Sequence, residues 1–340
     1  MIQKINLILN NIKKIINIKN IKKKLKNIKY SKKEKKNIIL NKKKTKYKKI
    51  IKIYKEIFIF YKDFKLLYDF LKKGENNVKN DLIFYKKKIE ILNENLYKLI
   101  FKKEDELEAI IQINSGAGGN DSCNWAKLLY KMYISWAIKK KFIYKIIDVI
   151  NTKKGIKYAL LHIKGLYSYG YLKGESGIHK LIRISPSNKK RHTSFVSIEV
   201  FPYIKKNKKI NINKKELKFE TFKSKGSGGQ NVNKVETGVR LIYKPYNLII
   251  RCTITRSQVI NKKYAIKILK SKLIILNKKN KKKKPKNKIE WGHHSRTYIM
   301  HPYKLIKDLK TGYKTKNFDN ILKGNLEEIF YEYIKLSITT

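Results

Sequence analysis

Cysteine is almost missing from this chain: Cys123 and Cys252 are the only two in 340 residues. Two cysteines make neither a disulfide framework nor a four-cysteine zinc site. The six histidines are scattered, and the adjacent pair His293 and His294 would point in different directions on a helix or a strand. No metal and no cofactor is expected. No run of ~18 apolar residues occurs, so no membrane helix is coded. The opening MIQKINLILNNIKK has a weak apolar stretch with no small-residue cleavage site and no arginine. It reads as neither a secretion signal nor a transit peptide, which makes cytoplasm the expected compartment.

Arginine and acid are also scarce. Six of the 83 cations are Arg, leaving 77 Lys, against 25 Asp plus Glu, for a net charge of +58. An A+T-rich coding sequence pushes composition toward Lys, Ile, Asn and Tyr without selection for charge. A chain this basic nevertheless binds phosphate or repels itself, so nucleic acid is the first partner to consider.

Proline is absent before residue 186, so nothing upstream breaks a helix by that route. Residues 1–49 are a Lys/Asn/Ile mixture of poor periodicity. From Ile50 to Leu71, and again over about 81–103, apolar residues follow the helical period and predict an antiparallel helix pair. Leu107–Ile113 reads as a strand, and Asn120 and Asp121 are N-cap candidates for a helix bearing Trp125, Leu129, Tyr133 and Trp136. Strands are expected at 142–150 and 157–164, a helix near 170–183, and an apolar run at Ser194–Phe201. After a polar linker, Lys205–Lys215, come a strand at Glu216–Phe222, a hairpin turning at Lys244–Asn247 and a helix from Ser257 to Leu276. A last helix is expected near 319–336. The expected architecture is α+β and multidomain: helical 1–106, α+β 107–210, a small α/β unit 211–288, and a C-terminal segment 289–340 packing with 107–210.

Glycine is the last scarcity. Of 16 glycines, three fall in Ser115–Gly119 and three in Gly226–Gln230. Neither loop is a phosphate-binding GxxxxGK[ST] loop or a dinucleotide GxGxxG turn. The second places a side-chain amide after two glycines, between cations and hydroxyls. Such a loop suits close backbone approach in an anionic pocket, with the amide orienting a small molecule such as water.

Gly228-Gly229-Gln230 resembles the GGQ motif of bacterial class I peptide chain release factors, which hydrolyse peptidyl-tRNA at stop codons. The flanks Asn233–Leu241 and Thr255–Gln258 are similar to the same catalytic domain. Ser115–Gly119 with Trp125, Gly174–Arg183 and Arg191–Ser194 resemble the family's codon-recognition domain, and Trp291-Gly292 with Arg296–Tyr298 its C-terminal segment. The similarity spans about 107–340. Ser185-Pro186-Ser187 is similar to the Ser-Pro-Phe of the release factor 2 branch, with Ser replacing Phe. Ile182 stands where that branch is aliphatic, and Asp121 where the family has Glu.

The resemblance implies translation termination at UAA and UGA. Gly118 and Asp121 then address the first base, Ser185 the second, His192 wedges between bases, and Thr193 with Ile182 handles the third. Pro186 and Ser187 complete the loop. A side-chain hydroxyl donates or accepts, so Ser185 suits adenine or guanine. Ester hydrolysis needs a placed water and a stabilised oxyanion; the backbone N–H near Gln230 and its side chain supply these. With no Ser–His–Asp set or carboxylate pair, the chain is expected to act only within the ribosome and not as a free enzyme. The implied partners are rRNA, the mRNA stop codon, peptidyl-tRNA and a glutamine methyltransferase acting on Gln230 N5, with a monomeric chain and no membrane. Two other readings stay open: a codon-independent ribosome-rescue hydrolase, and a basic RNA-binding protein with an inert loop.

Overall fold

The computed structural model describes the backbone of residues 34–186, 188–204, 212–223, 235–281 and 294–339. Ser187, the GGQ tripeptide, most of the 205–215 linker, Trp291-Gly292 and the Lys-rich stretch beyond Lys281 lie outside the described residues. Contacts divide the chain into two units, residues 1–102 with 327–340, and residues 103–326.

In the first unit, α1 (Glu34–Lys72) and α2 (Lys79–Ile100) form a helical hairpin turning at Gly74. Ile50, Ile57 and Phe64 of α1 and Leu82, Ile89 and Leu96 of α2 are buried, each set at seven-residue spacing. That spacing keeps one seam of each helix turned toward a partner. Burying each such side chain is worth about 1.5–3 kcal/mol, far more than the helix propensity of so many Lys and Asn. The C-terminal helix, Glu327–Thr339, belongs to this unit and buries Ile329, Phe330 and Ile334.

The second unit is built on an eight-stranded sheet of order β11-β10-β9-β4-β5-β1-β3-β2. Its strands are β1 (Glu108–Ser115), β2 (Ile143–Thr152), β3 (Gly155–Lys164), β4 (Gly177–Ile184), β5 (Arg191–Tyr203), β9 (Arg296–Ile299), β10 (Leu305–Asp308) and β11 (Lys314–Thr315). All pairings are antiparallel except β4 with β9. Helix α3 (Gly119–Lys139) lies on one face, with Trp125, Leu129, Met132, Tyr133 and Trp136 fully buried. A small sheet of β6 (Leu217–Phe222), β7 (Gly238–Tyr243) and β8 (Leu248–Cys252) packs with the long helix α5 (Gln258–Lys281). Leu241, Ile250, Ile268, Leu269 and Leu273 of this layer share one core with Ile147, Leu160, Phe201 and Tyr203 of the large sheet.

Three local expectations are corrected. The helix expected near 170–183 is instead the single turn α4 (Ser168–Leu172), a 3-10 turn to Glu175, and strand β4. Gly177 sits at φ +141, a conformation no helix contains, and resets the backbone there. The N-cap of α3 is Gly118, in the left-handed region, and neither Asn120 nor Asp121 caps it. The helix expected near 319–336 is two: α6 (Phe318–Leu322) ends at Gly324, φ +90, before α7 (Glu327–Thr339) starts.

Candidate functional site

The start of α3 meets the start of β5 closely. A Cβ added to Gly118 would lie 3.1 Å from Ser194 Cα and 3.3 Å from the Thr193 carbonyl oxygen, at φ +119. Glycine there lets the helix N-terminus abut the strand. Asp121, one turn on, is buried. Its Oδ2 pairs with His192 Nδ1 at 3.2 Å, and its Oδ1 lies 3.7 Å from Arg183 Nη2. Arg183 Nη2 donates to Asn124 Oδ1 at 3.0 Å. Burial pulls the Arg183 guanidinium pKa down, and the Asp121 charge opposes this. Arg183 Nε and Ser194 Oγ are buried with no hydrogen-bond partner among the described residues. The His192 side chain is 39% exposed, so one flat ring reaches the surface from an otherwise closed cluster.

Strand register sorts the remaining candidates by face. Arg183 pairs with His192 and Ile182 with Thr193. Cross-strand partners share a face and successive residues alternate. Arg183 and His192 therefore lie on the α3 side. Ile182 and Thr193 lie on the opposite side, which α5 and the small sheet cover further along β5 through Glu199, Phe201 and Tyr203. Thus the structure joins Asp121 to His192 and Ile182 to Thr193, but separates the two pairs by the thickness of the sheet.

Ser185 roots the turn between these strands. Its N–H donates to the Lys190 carbonyl at 2.8 Å, its carbonyl accepts from Lys189 N–H at 2.9 Å, and its Oγ accepts from Asn188 N–H at 3.3 Å. It is 1% exposed, whereas Pro186 and Asn188–Arg191 are exposed.

Sequence reasoning missed a second cluster on the α3 side. Arg296 donates to both Glu175 oxygens at 2.7 and 2.6 Å and, through Nε, to Asp308 at 2.9 Å. Tyr133 OH donates to Glu175 at 2.8 Å. Burial works against both carboxylates, yet Arg296 holds Glu175 and Asp308 below the usual range. His179 lies beside them, 2.9 Å from the Glu175 carbonyl and 3.4 Å from Tyr298 OH. A carbonyl only accepts, so Nε2 carries the proton and Nδ1 accepts from the phenol. Burial first, then the Arg296 charge, pushes the His179 pKa down to about 4. No spacing rule links Glu175 to an arginine 121 residues away.

The hairpin β6–β7 carries the GGQ loop, and Phe222 and Gly238 form its last pair. The described return of the loop is pinned to α5. Asn261, fully buried, donates to the carbonyls of Thr237 at 2.8 Å and Thr255 at 2.7 Å and accepts from Thr255 N–H at 3.0 Å. Gln258 Nε2 donates to the Glu236 carbonyl at 3.1 Å, and Thr221 bonds the Glu236 carboxylate. In sequence Asn261 reads as a polar helix residue, and nothing local marks it as a clamp. Among the described residues no His, Cys, Asp and Glu cluster could hold a metal, and no helix is long and apolar enough to cross a membrane.

Two family domains match in tandem, the PCRF domain over residues 15–198 and the RF-1 domain over 205–310. The chain belongs to the peptide chain release factor family. This release factor is 38% identical over 268 residues to Peptide chain release factor 2 of Chlamydia pneumoniae, covering 76% of this chain and 71% of the relative. It is 35% identical over 254 residues to that of Treponema pallidum, covering 72% and 69%. Among solved structures, RF2 of Thermus thermophilus superposes with a TM-score of 0.67 at 27% identity, covering 92% of this release factor and 93% of that chain. The resemblance read from the motifs and the α+β multidomain class are borne out. The function that follows is translation termination with stop-codon recognition.

Proposed function

We propose that this release factor reads UAA and UGA in the ribosome and triggers peptidyl-tRNA hydrolysis through Gly228-Gly229-Gln230. The observation that carries the codon reading is the division of the candidate residues between two sheet faces. The helix side, with Gly118, Asp121 and the half-exposed His192, takes the first two bases, with the His192 ring as the stacking surface between codon positions. The other side presents Ile182 and Thr193 to the third base: the hydroxyl serves adenine, and the aliphatic chain offers guanine no partner. Ser185 is buried within its own turn, so it meets the second base when the Asn188 bond is exchanged for one to the base edge. The tandem PCRF and RF-1 matches favour this reading over a rescue hydrolase or an inert RNA-binding loop.

The hydrolytic chemistry is divided. The loop supplies a backbone donor for the oxyanion and an amide that admits only water, and the ribosome supplies the rest of the site. The chain is inert toward esters alone, monomeric, cytoplasmic, and a substrate for a methyltransferase at Gln230. Lysines along its surface meet rRNA phosphates. Release of peptide from ribosomes programmed in turn with UAA, UGA and UAG tests the codon assignment: release at the first two and none at UAG is expected, and efficient release at UAG overturns it. Gln230→Ala and Gly229→Ala are expected to abolish release while ribosome binding persists; wild-type release by both removes the catalytic assignment.

A further inference from the structure

Strand β2 ends the eight-stranded sheet, and among the described residues no strand pairs with its outer edge. At Ile147 the edge is covered: the carbonyl accepts the N–H and hydroxyl of Thr253, at 3.0 and 3.1 Å. Residues 143–146 have no strand beyond them among the described residues and all four are exposed. Ile147 shares a core with Leu160 on the α5 side of the sheet, and the ladder skips Ile147 as a bulge, leaving Ile146 opposite Leu161 and Tyr144 opposite Ile163. Tyr144 and Ile146 therefore face the α3 side. The flank of α3 beside them carries Tyr130, Ile134 and Ile138 at four-residue spacing. The Tyr144 phenol is near enough to add to the effect of burial in raising the Tyr130 pKa.

The result is an apolar groove with Ile138 58%, Ile146 46% and Tyr144 37% exposed, larger side chains than a solvated edge ordinarily leaves in water. Exposed Lys127, Lys131 and Lys141 border it, and no acidic residue occurs between Asp121 and Asp148. We propose that this groove docks an extended protein segment that pairs with β2 at residues 143–146 and alternates apolar with acidic side chains. Strand addition gives its affinity to the main chain and its specificity to alternate side-chain pockets. Here the pockets are aliphatic and the rim is cationic. A second copy of the chain does not fit, because it brings the same lysines and a net charge of +58. RNA fits poorly, because residues 122–152 contain no arginine and the groove floor is mostly isoleucine, whereas single strands are held by aromatic and guanidinium stacking.

The test uses the full chain and a fluorescent synthetic peptide of alternating Glu and Val, with fluorescence anisotropy as the readout. Saturable binding is expected. Tyr144→Ser with Ile146→Ser, which removes the apolar contacts without adding charge, should weaken it about tenfold or more with the melting temperature unchanged. The same peptide N-methylated at alternate amides should lose binding to the same extent. Ile138→Ser is a second exposed position should the double variant fail to fold. Absence of binding, binding indifferent to these substitutions, or equal binding of the N-methylated peptide overturns the proposal. So does oligouridylate binding that falls in the same variants while peptide binding does not.

Discussion

Two charged clusters sit on the α3 side of the same sheet, four residues apart along β4, and they are built to different ends. Around His179, the Glu175–Arg296–Asp308 group is 1–3% exposed, and every Arg296 nitrogen has an acceptor. Around Arg183, the Asp121–His192 group keeps a buried guanidinium N–H without a partner among the described residues and presents a ring to solvent. A saturated cluster fixes geometry and has nothing left to offer a ligand. An incomplete one has donors in reserve, at a cost in stability that the first cluster can offset. The first joins β4 to the parallel strand β9 and to α3, and so holds steady the strand whose far end carries Ser185.

That contrast is broken most sharply by Arg296→Met. Leaving two buried carboxylates without their cation should cost about 3–5 kcal/mol, read by denaturant unfolding. A loss as small as that of an ordinary surface substitution contradicts the assignment. Acid gives the next largest effect. The folded pKa of His179, about 4, lies below its value of ~6.5 in the unfolded chain, so protons favour unfolding. This contribution is complete above pH ~6.5 and is lost as pH falls toward 4, up to about 3 kcal/mol for such a shift. Glu175 and Asp308, whose pKa values are lowered, act in the same direction at lower pH. His179→Gln should flatten the upper part of the profile, and an unchanged profile assigns the acid lability elsewhere.

The open cluster should respond in function rather than stability. Asp121→Asn is expected to cost less in unfolding than Arg296→Met, while release at UAA and UGA falls about tenfold with the loss of one charge-assisted contact to His192. Equal losses in stability and release would make the two clusters the same kind of object. The smallest expected effect is at the opposite sheet face. Ile182→Gln should raise release at UAG by about tenfold, because one polar partner relieves about 1.4 kcal/mol of unpaired guanine. UAG release that stays at background places the discrimination on Thr193 and the decoding turn.

Much of this fold is legible in the amino-acid sequence, for stated reasons. The α1–α2 helix pair, the Trp125–Trp136 face of α3 and the Lys244–Asn247 turn all follow from local periodicity or turn chemistry, although Phe84 and Ile91, apolar and on the helical period, stay exposed while Leu82 and Ile89 are buried. What fails is set by distance or by a single backbone angle. Gly177, at φ +141, cannot sit inside a helix, and the apolar run after it pairs with β5 and β9 as a strand. The partnership of Glu175 with Arg296 and the clamp of Asn261 on Thr237 depend on tertiary proximity that no period encodes. Of the candidate site, the motifs that carry the family resemblance are legible, but the division of Asp121–His192 from Ile182–Thr193 between two faces is not, because it needs the register of β4 on β5.

The hairpin that bears the GGQ loop has a mechanical consequence. Phe222 and Gly238 are its last paired residues, and Gln230 is eight peptide steps from each. The glutamine is thus the midpoint of a tether with two equal arms. At ~3.3–3.6 Å per residue, neither arm can extend beyond about 26–29 Å, so the sheet edge is the centre of a sphere outside which the amide can never be delivered. Asn261 and Gln258 fasten Thr237 and Glu236 on the return side, so the last fastened residue there is six peptide steps from Gln230 and sets the tighter limit on its reach. Removing one residue from each arm shortens the tether and keeps Gln230 central. Removing two from one arm changes the loop's length equally but displaces its apex, so paired deletions separate reach from aim.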